Sequence, residues 1–405
     1  MRPTVGCLLG GLWPALATHD MDGYRNSLIF ALALAQVAGL APGRSWALEQ
    51  VTAVDPRTAD VVELSGKAIL EAQDGGLVLA TPDGALHKLP ASRIRSRQSD
   101  QQPFRPLNAE ELAAKLLGEL PPGFRVHRSK NYVVAYNTTR TYAEWTSSLL
   151  ERLQRAFIAY WRKQGCDVKP PAQPLMVLVF ADQAAYADYA KKDLGSAVGN
   201  VIGYYNLDTN RIMMYDLTGM QAFGGGGRGS LHDITQLLSR PEAEPLVATI
   251  VHEATHQISF NCGLQKRLVA NPYWLSEGLA TYFETPDLAS SRSWSGIGAV
   301  NYSRWDLFRH NYDQGKTIPL HRLVADDKLF QTPETAVDAY AQAWAWNYFL
   351  IRWKPNEYAA YLKSLAAKPL LVEDSAATRV DDFRRHFGEL AELEAEFYRR
   401  MARVE

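Results

Sequence analysis

The sequence predicts an α+β fold: a twisted mixed sheet followed by a histidine-bearing helix, with a helical C-terminal subdomain and a small N-terminal β module. Three observations lead there. Short strand-like runs bounded by turn residues, interleaved with helical stretches, fill the chain up to Tyr215. A helical pattern over residues 245–261 carries His252-Glu253-Ala254-Thr255-His256. From about Ser291 onward the pattern is mostly helical.

The chain of 405 residues is long enough for two or three domains. Its 47% hydrophobic and 21% charged residues describe a soluble globular protein. With 43 basic and 44 acidic residues the net charge is −1, which favours neither nucleic acid nor an anionic membrane as partner. Arg25 precedes an apolar run over 28–35, and Ser45 and Ala47 fit a signal-peptidase site. Residues 1–47 therefore read as a signal peptide region, from Met1 or Met21, and the protein as exported, periplasmic or secreted. The run is too short for a stable membrane span. Cys7 would leave with the signal; Cys166 and Cys262 read as two buried thiols, with pairing in an oxidising compartment as the alternative.

In order along the chain, residues 48–98 form the β module, with strands over 67–72, 77–81 and 85–89 and turns at Asp74-Gly75-Gly76 and Pro82-Asp83-Gly84. Residues 99–121 are a linker with a short helix, which Asn108 and Glu111 start as a capping box. Residues 122–290 hold the α/β core. It has a strand over 132–136, a long amphipathic helix over 141–161, an apolar central strand over 175–180 and a helix over 183–192. A hairpin pairs 201–205 with 211–215. Met213 to Tyr215 are expected on an edge strand, free to pair with extended substrate. The glycine-rich stretch 223–230 lacks the Lys-Ser or Lys-Thr of a phosphate-binding loop and reads as a mobile loop and candidate lid. Residues 291–405 form the helical subdomain, including an aromatic-rich helix over 331–353.

HExxH places two imidazoles at i and i+4, one above the other on a helix face, where they can share a metal ion. Pro245 suits the first turn, and Asn261 and Gly263 supply stop signals. Val247, Ile250, Val251, Ala254 and Ile258 share one stripe, and His252 and His256 project nearly opposite it, toward a cleft. A catalytic zinc needs a third protein ligand and an open position for water. Asn271-Pro272 breaks the chain, so a second helix can carry Glu277 as that ligand, with Leu275, Leu279 and Tyr282 on the opposite face. Glu284, two turns on, is the reserve ligand. His232, His310 and His321 stand alone, without ligand spacing, and Arg384, Arg385 and His386 read as a solvated face.

These features resemble the gluzincins, the thermolysin-like and aminopeptidase-like metallopeptidases of the zincin class. More closely, the chain looks like a poorly characterised family of secreted bacterial proteins with a peptidase-MA-like core. The likeness covers roughly residues 125–400. It rests on Val201-Ile202-Gly203-Tyr204-Tyr205, Asn210-Arg211-Ile212-Met213-Met214-Tyr215-Asp216, the HEATHQ and WLSEGLATYFE runs, and Tyr340-Ala341-Gln342-Ala343-Trp344. The resemblance implies a zincin-like core with one zinc per chain at His252, His256 and Glu277. It implies Glu253 as general base and Tyr340 as a tyrosine aimed at the oxyanion. Thermolysin-type enzymes often place an acidic residue four positions after the ligand Glu to hold a ligand His; here that position is Thr281. The expected activity is zinc-dependent hydrolysis of peptide bonds in a peptide or protein substrate. The alternative is a non-catalytic secreted protein that uses the scaffold to bind a cell-envelope or protein partner. The intact Glu253 speaks against that alternative, since binding alone needs no base.

Overall fold

The computed structural model describes residues 47–55, 59–220, 229–286, 288 and 294–404. The expected signal segment before Ala47 and most of the glycine-rich stretch 223–230 lie outside the described residues. Among the described residues there are thirteen α-helices and two five-stranded sheets, a mixed α/β architecture with an N-terminal β module and a helical C-terminal region.

The module comprises β1 (Ala47–Val54), β2 (Val61–Glu71), β3 (Leu77–Ala80), β4 (Leu86–Leu89) and β5 (Ile94–Pro103). All its pairs are antiparallel, in the order β4-β3-β2-β1-β5. Gly75 and Gly84 make its two tight turns at φ 87° and 86°, as the Asp-Gly signals predict. Val51, Ala53, Leu77, Leu79 and Leu89 fill its own small core. Sequence reading missed β1 and β5, and it took residues 99–103 for linker. Those residues pair with β1, but the side chains from Arg95 to Ser99 are exposed, so no apolar alternation marks the strand.

After α1 (Ala109–Glu119), whose capping box between Asn108 and Glu111 forms as expected, the core sheet begins. Its strands are β6 (Arg125–Arg128), β7 (Tyr132–Tyr136), β8 (Leu175–Phe180), β9 (Gly203–Asn206) and β10 (Arg211–Tyr215), in the order β6-β7-β8-β10-β9. The helices α2 (Arg140–Lys163) and α3 (Gln183–Leu194) supply the crossovers that the parallel pairs β7–β8 and β8–β10 need. Leu175 to Phe180 is central and wholly buried, as its unbroken apolar run predicts.

One expectation is corrected. Met213 to Tyr215 do not lie at an edge: β10 pairs with β8 on one side and β9 on the other. The hairpin folds back so that β9, the earlier strand, is outermost.

The remaining helices are α4 (Leu231–Leu238), α5 (Glu244–Asn261), α6 (Tyr273–Phe283), α7 (Tyr302–Asp313), α8 (Leu320–Ala325), α9 (Lys328–Gln331), α10 (Pro333–Trp353), α11 (Pro355–Ala366), α12 (Ala376–Phe387) and α13 (Leu390–Met401). Helix α5 packs on β9 and β10 and buries the predicted apolar stripe, and it ends at Asn261 ahead of Gly263 at φ 87°. Gln257 fastens it to the sheet, donating from Nε2 to the Met176 and Asn210 carbonyls at 3.0 Å each. The histidine side of α5 is also covered, because α6 packs against it and α10 against α6. The aromatic residues of α10 are the core of this region, with Trp344 and Trp346 fully buried.

The β module is docked on the core. Leu86 N donates to Asp208 O at 2.7 Å, and Lys88 pairs with Asp208 at 3.0 Å, so the edge of β4 meets the hairpin turn. Arg267, in the connector between α5 and α6, donates to Leu207 O and to Gly84 O at 2.9 Å each. Val78 and Leu86 pack on Leu268 of the same connector. Arg211 joins the seam through Glu119 at 2.7 Å and Asp83 at 3.7 Å.

Replacing Gln257 with Leu strips two carbonyls of a buried donor. The expected loss is roughly 2–4 kcal/mol of stability, read as a lowered urea midpoint with unchanged slope.

Candidate metal centre

His252 and His256 stand one turn apart on α5, with ring centroids 4.8 Å apart and Nε2 atoms 3.1 Å apart. Glu277 arrives from the first turns of α6. Its Oε2 lies 3.1 Å from His252 Nε2 and its Oε1 3.6 Å from His256 Nε2. Ligands about 2.0–2.1 Å from a tetrahedral ion are about 3.3 Å from one another, and these three spacings bracket that value. His252, His256 and Glu277 could therefore hold a metal ion. Their chemistry, two imidazoles and one carboxylate, fits zinc with a position left open.

The placement of Glu277 depends on its neighbour. At Gly278, α6 meets α10 so closely that an added Cβ would sit 1.9 Å from Asn347 Nδ2 and 2.6 Å from Ala343 O. Asn347 in turn donates to Trp274 O at 2.9 Å, stitching the two helices together.

Glu284, expected as the reserve ligand, has another place. Its Oε1 is 2.7 Å from His252 Nδ1, on the side of the ring away from Glu277. Asn301 donates to its Oε2 at 3.1 Å, and Arg304 reaches both oxygens at 3.5 Å. Two helical turns carry Glu284 past Glu277 to the flank of His252, where it fixes the imidazole with Nε2 toward the cluster. Thr281, at the position where thermolysin-type enzymes put an acid, donates to Gly278 O of its own helix. The carboxylate that holds the histidine thus lies three residues further on.

Glu253 is buried beside the cluster, and its Oε2 accepts the Tyr205 N–H at 2.7 Å. Burial pushes its carboxyl above the ordinary range, against the pull of His252, His256 and that N–H. Burial likewise opposes charge on His252, but hydrogen bonds to Glu277 and Glu284 prevail and hold it up at about 10. For Glu277, burial is outweighed by His256 and His252, which keep the carboxyl far below its usual range. Glu284 is held low against burial by Arg304 and His252. Tyr340 is within the site: its ring lies 6.4 Å from that of His252 and 5.5 Å from the Arg304 guanidinium. Burial, together with the nearby Glu277 carboxylate, pushes the phenol well up, so it stays a donor.

His232, His310 and His321 are exposed and take no part. Cys166 and Cys262 are free thiols, the latter buried. The residues that sequence reading missed are Asn301, Arg304 and the Tyr205 N–H. Asn301 caps α7 and so had a local signal, but nothing local links α7 to Glu284. A backbone donor leaves no mark in the sequence.

Residues 246–371 match the model of a family described as Protein of unknown function (DUF1570). The matched stretch holds both helices of the cluster, Glu284, Arg304 and Tyr340. No curated protein matches the chain.

Two outcomes follow from this geometry. Gly278→Ala should displace Glu277 and weaken metal binding at least about tenfold, measured by competition with a chromogenic chelator. In the metal-free protein, the stability due to His252 is complete below its ordinary 6.5 and is lost as pH rises through about 10. That of Glu277 and Glu284 is present above 4.5 and is lost as pH falls below it. Calorimetry in chelator should therefore show the highest Tm between about pH 5 and 6 and a decline toward pH 10.

Proposed function

We propose that the protein is a zinc metallopeptidase of gluzincin type, an exported hydrolase holding one zinc per chain at His252, His256 and Glu277. The observation that carries this reading is the spacing of the three donor atoms, near that of a tetrahedral ion, with a buried carboxylate outside the donor set on the adjacent residue, Glu253. Zinc in such a site supplies Lewis-acid activation of water and of a carbonyl oxygen.

The protein's own groups divide the rest. Glu253, raised by burial toward the operating pH, takes a proton from the attacking water and returns it to the leaving amine nitrogen. Glu284, backed by Arg304 and Asn301, keeps His252 in the tautomer that leaves Nε2 available. Tyr340, a protonated phenol beside Glu277, is the proposed donor to the oxyanion. An extended peptide is proposed to add along β9, the outer strand of the sheet and the one next to Glu253. Among the described residues no helix is long and apolar enough to cross a membrane.

The test is elemental analysis of the purified protein, followed by assay of a mixed peptide library. Wild type should carry about one zinc and His252→Ala none. Glu253→Gln should keep the zinc and lose at least about a hundredfold in kcat. A zinc-free, metal-supplemented wild type would refute the metal assignment, and full activity in Glu253→Gln would refute the base.

A further inference from the structure

The face of α5 beside the histidines is turned to the β9–β10 hairpin. Glu253, Gln257, Phe260 and Asn261 recur at helical spacing, and each meets it. Gln257 donates to Asn210 O at 3.0 Å. Phe260 stacks on the Tyr205 ring, with centroids 6.2 Å apart and planes 19° apart. Asn261 and Asn210 exchange amide hydrogen bonds at 2.7 and 2.9 Å, and the Tyr205 hydroxyl donates to Asn210 Oδ1 at 2.7 Å. Asn210 takes a left-handed backbone, φ 59°, to present these groups. Glu253 makes the last of the contacts, through the Tyr205 N–H at 2.7 Å.

That N–H is set apart by the register. Tyr205 lies opposite Ile212 in the antiparallel pair, and such pairs alternate between bonded and non-bonded positions. An N–H spent on Glu253 puts Tyr205 at a non-bonded position, so Tyr204 and Asn206 face β10 while Gly203 and Tyr205 face outward. No strand lies beyond β9 among the described residues, and the Glu253 carboxylate takes the place of one. The strand cannot easily drift. At Gly203 it runs so close to β10 that an added Cβ would be 2.8 Å from Met213 O.

We propose that Tyr205 is a positioning residue whose main-chain N–H fixes the Glu253 side chain, holding Oε2 and leaving Oε1 to accept the proton. The inference rests on Glu253 being the general base. A backbone donor suits the task because it brings no rotamer freedom of its own, so little is lost in orienting the carboxylate. The same bond withdraws the Tyr205 N–H from any peptide strand added at this edge.

The contact is tested apart from catalysis by residue-resolved amide exchange in wild type and Glu253→Ala. The Tyr205 amide should exchange at least about tenfold faster in the variant, while the Tyr204 and Asn206 amides keep their rates. Equal rates at Tyr205 in both proteins would overturn the proposal. The positioning role is then read from zinc-loaded Tyr205→Pro and Tyr205→Ala. Proline removes an N–H that no ladder bond uses, whereas alanine keeps it and loses only the ring. Tyr205→Pro should fall at least about tenfold below Tyr205→Ala in kcat, with KM within about twofold. Equal kcat values would overturn the role. A wild type that binds zinc and cleaves no peptide would refute the hydrolase reading, and the exchange rates would still decide whether the contact exists.

Discussion

Burying two imidazoles and three carboxylates in one place is the constraint around which this molecule is arranged. His252, Glu253 and Glu284 are each less than a tenth exposed, and His256 and Glu277 only slightly more accessible. Ionised groups removed from water are costly unless each finds an opposite charge or a hydrogen bond. The structure answers with a chain of alternating sign. Arg304 faces Glu284, Glu284 faces His252, and His252 and His256 face Glu277. A divalent cation at the centre would complete the balance and displace the proton that His252 otherwise holds.

The two halves of the protein contribute unlike things to this arrangement. The sheet half supplies a rigid floor and a backbone donor at Tyr205. The helical half supplies the third carboxylate, its guanidinium partner and the phenol. Neither half holds a complete site. The stretch similar to the DUF1570 family begins just inside α5 and ends at Leu371, so it contains the whole charged chain but not the hairpin that orients Glu253. The C-terminal helices are accordingly part of the centre itself. Asp327, just before α9, accepts the Tyr273 N–H at the start of α6 and pairs with Arg379 of α12 at 2.6 Å, giving a helix that lacks its own side-chain cap a borrowed one.

Much of this was legible in the sequence because it is local. Periodicity located α2, α5, α6 and α10 to within a few residues, and the Asn108–Glu111 box announced α1. The HExxH spacing and the next helix named the three candidate ligands, which converge. What was not legible depends on pairing between distant segments. The strand β5 has no apolar rhythm, and what joins it to β1 is backbone pairing and the Arg97–Glu49 ion pair between distant segments. The order of β9 and β10 is a choice of which strand faces β8, and both are equally apolar. Glu284 sits on the predicted side of its helix, but its assignment turned on where α7 places Arg304, a relation across twenty residues with no periodic trace.

The seam between the β module and the core has its own consequence. Arg267 bridges the module and the hairpin turn from the connector of the two histidine- and glutamate-bearing helices, and Leu268 beside it fills the module's outer apolar face. Separating the parts would expose that face and leave Arg211 with only Glu119 among its carboxylate partners. The module is thus a keystone rather than an appendage. If the chain were nicked in the segment just before α1, the fragments would remain associated, and they would melt together as one cooperative body.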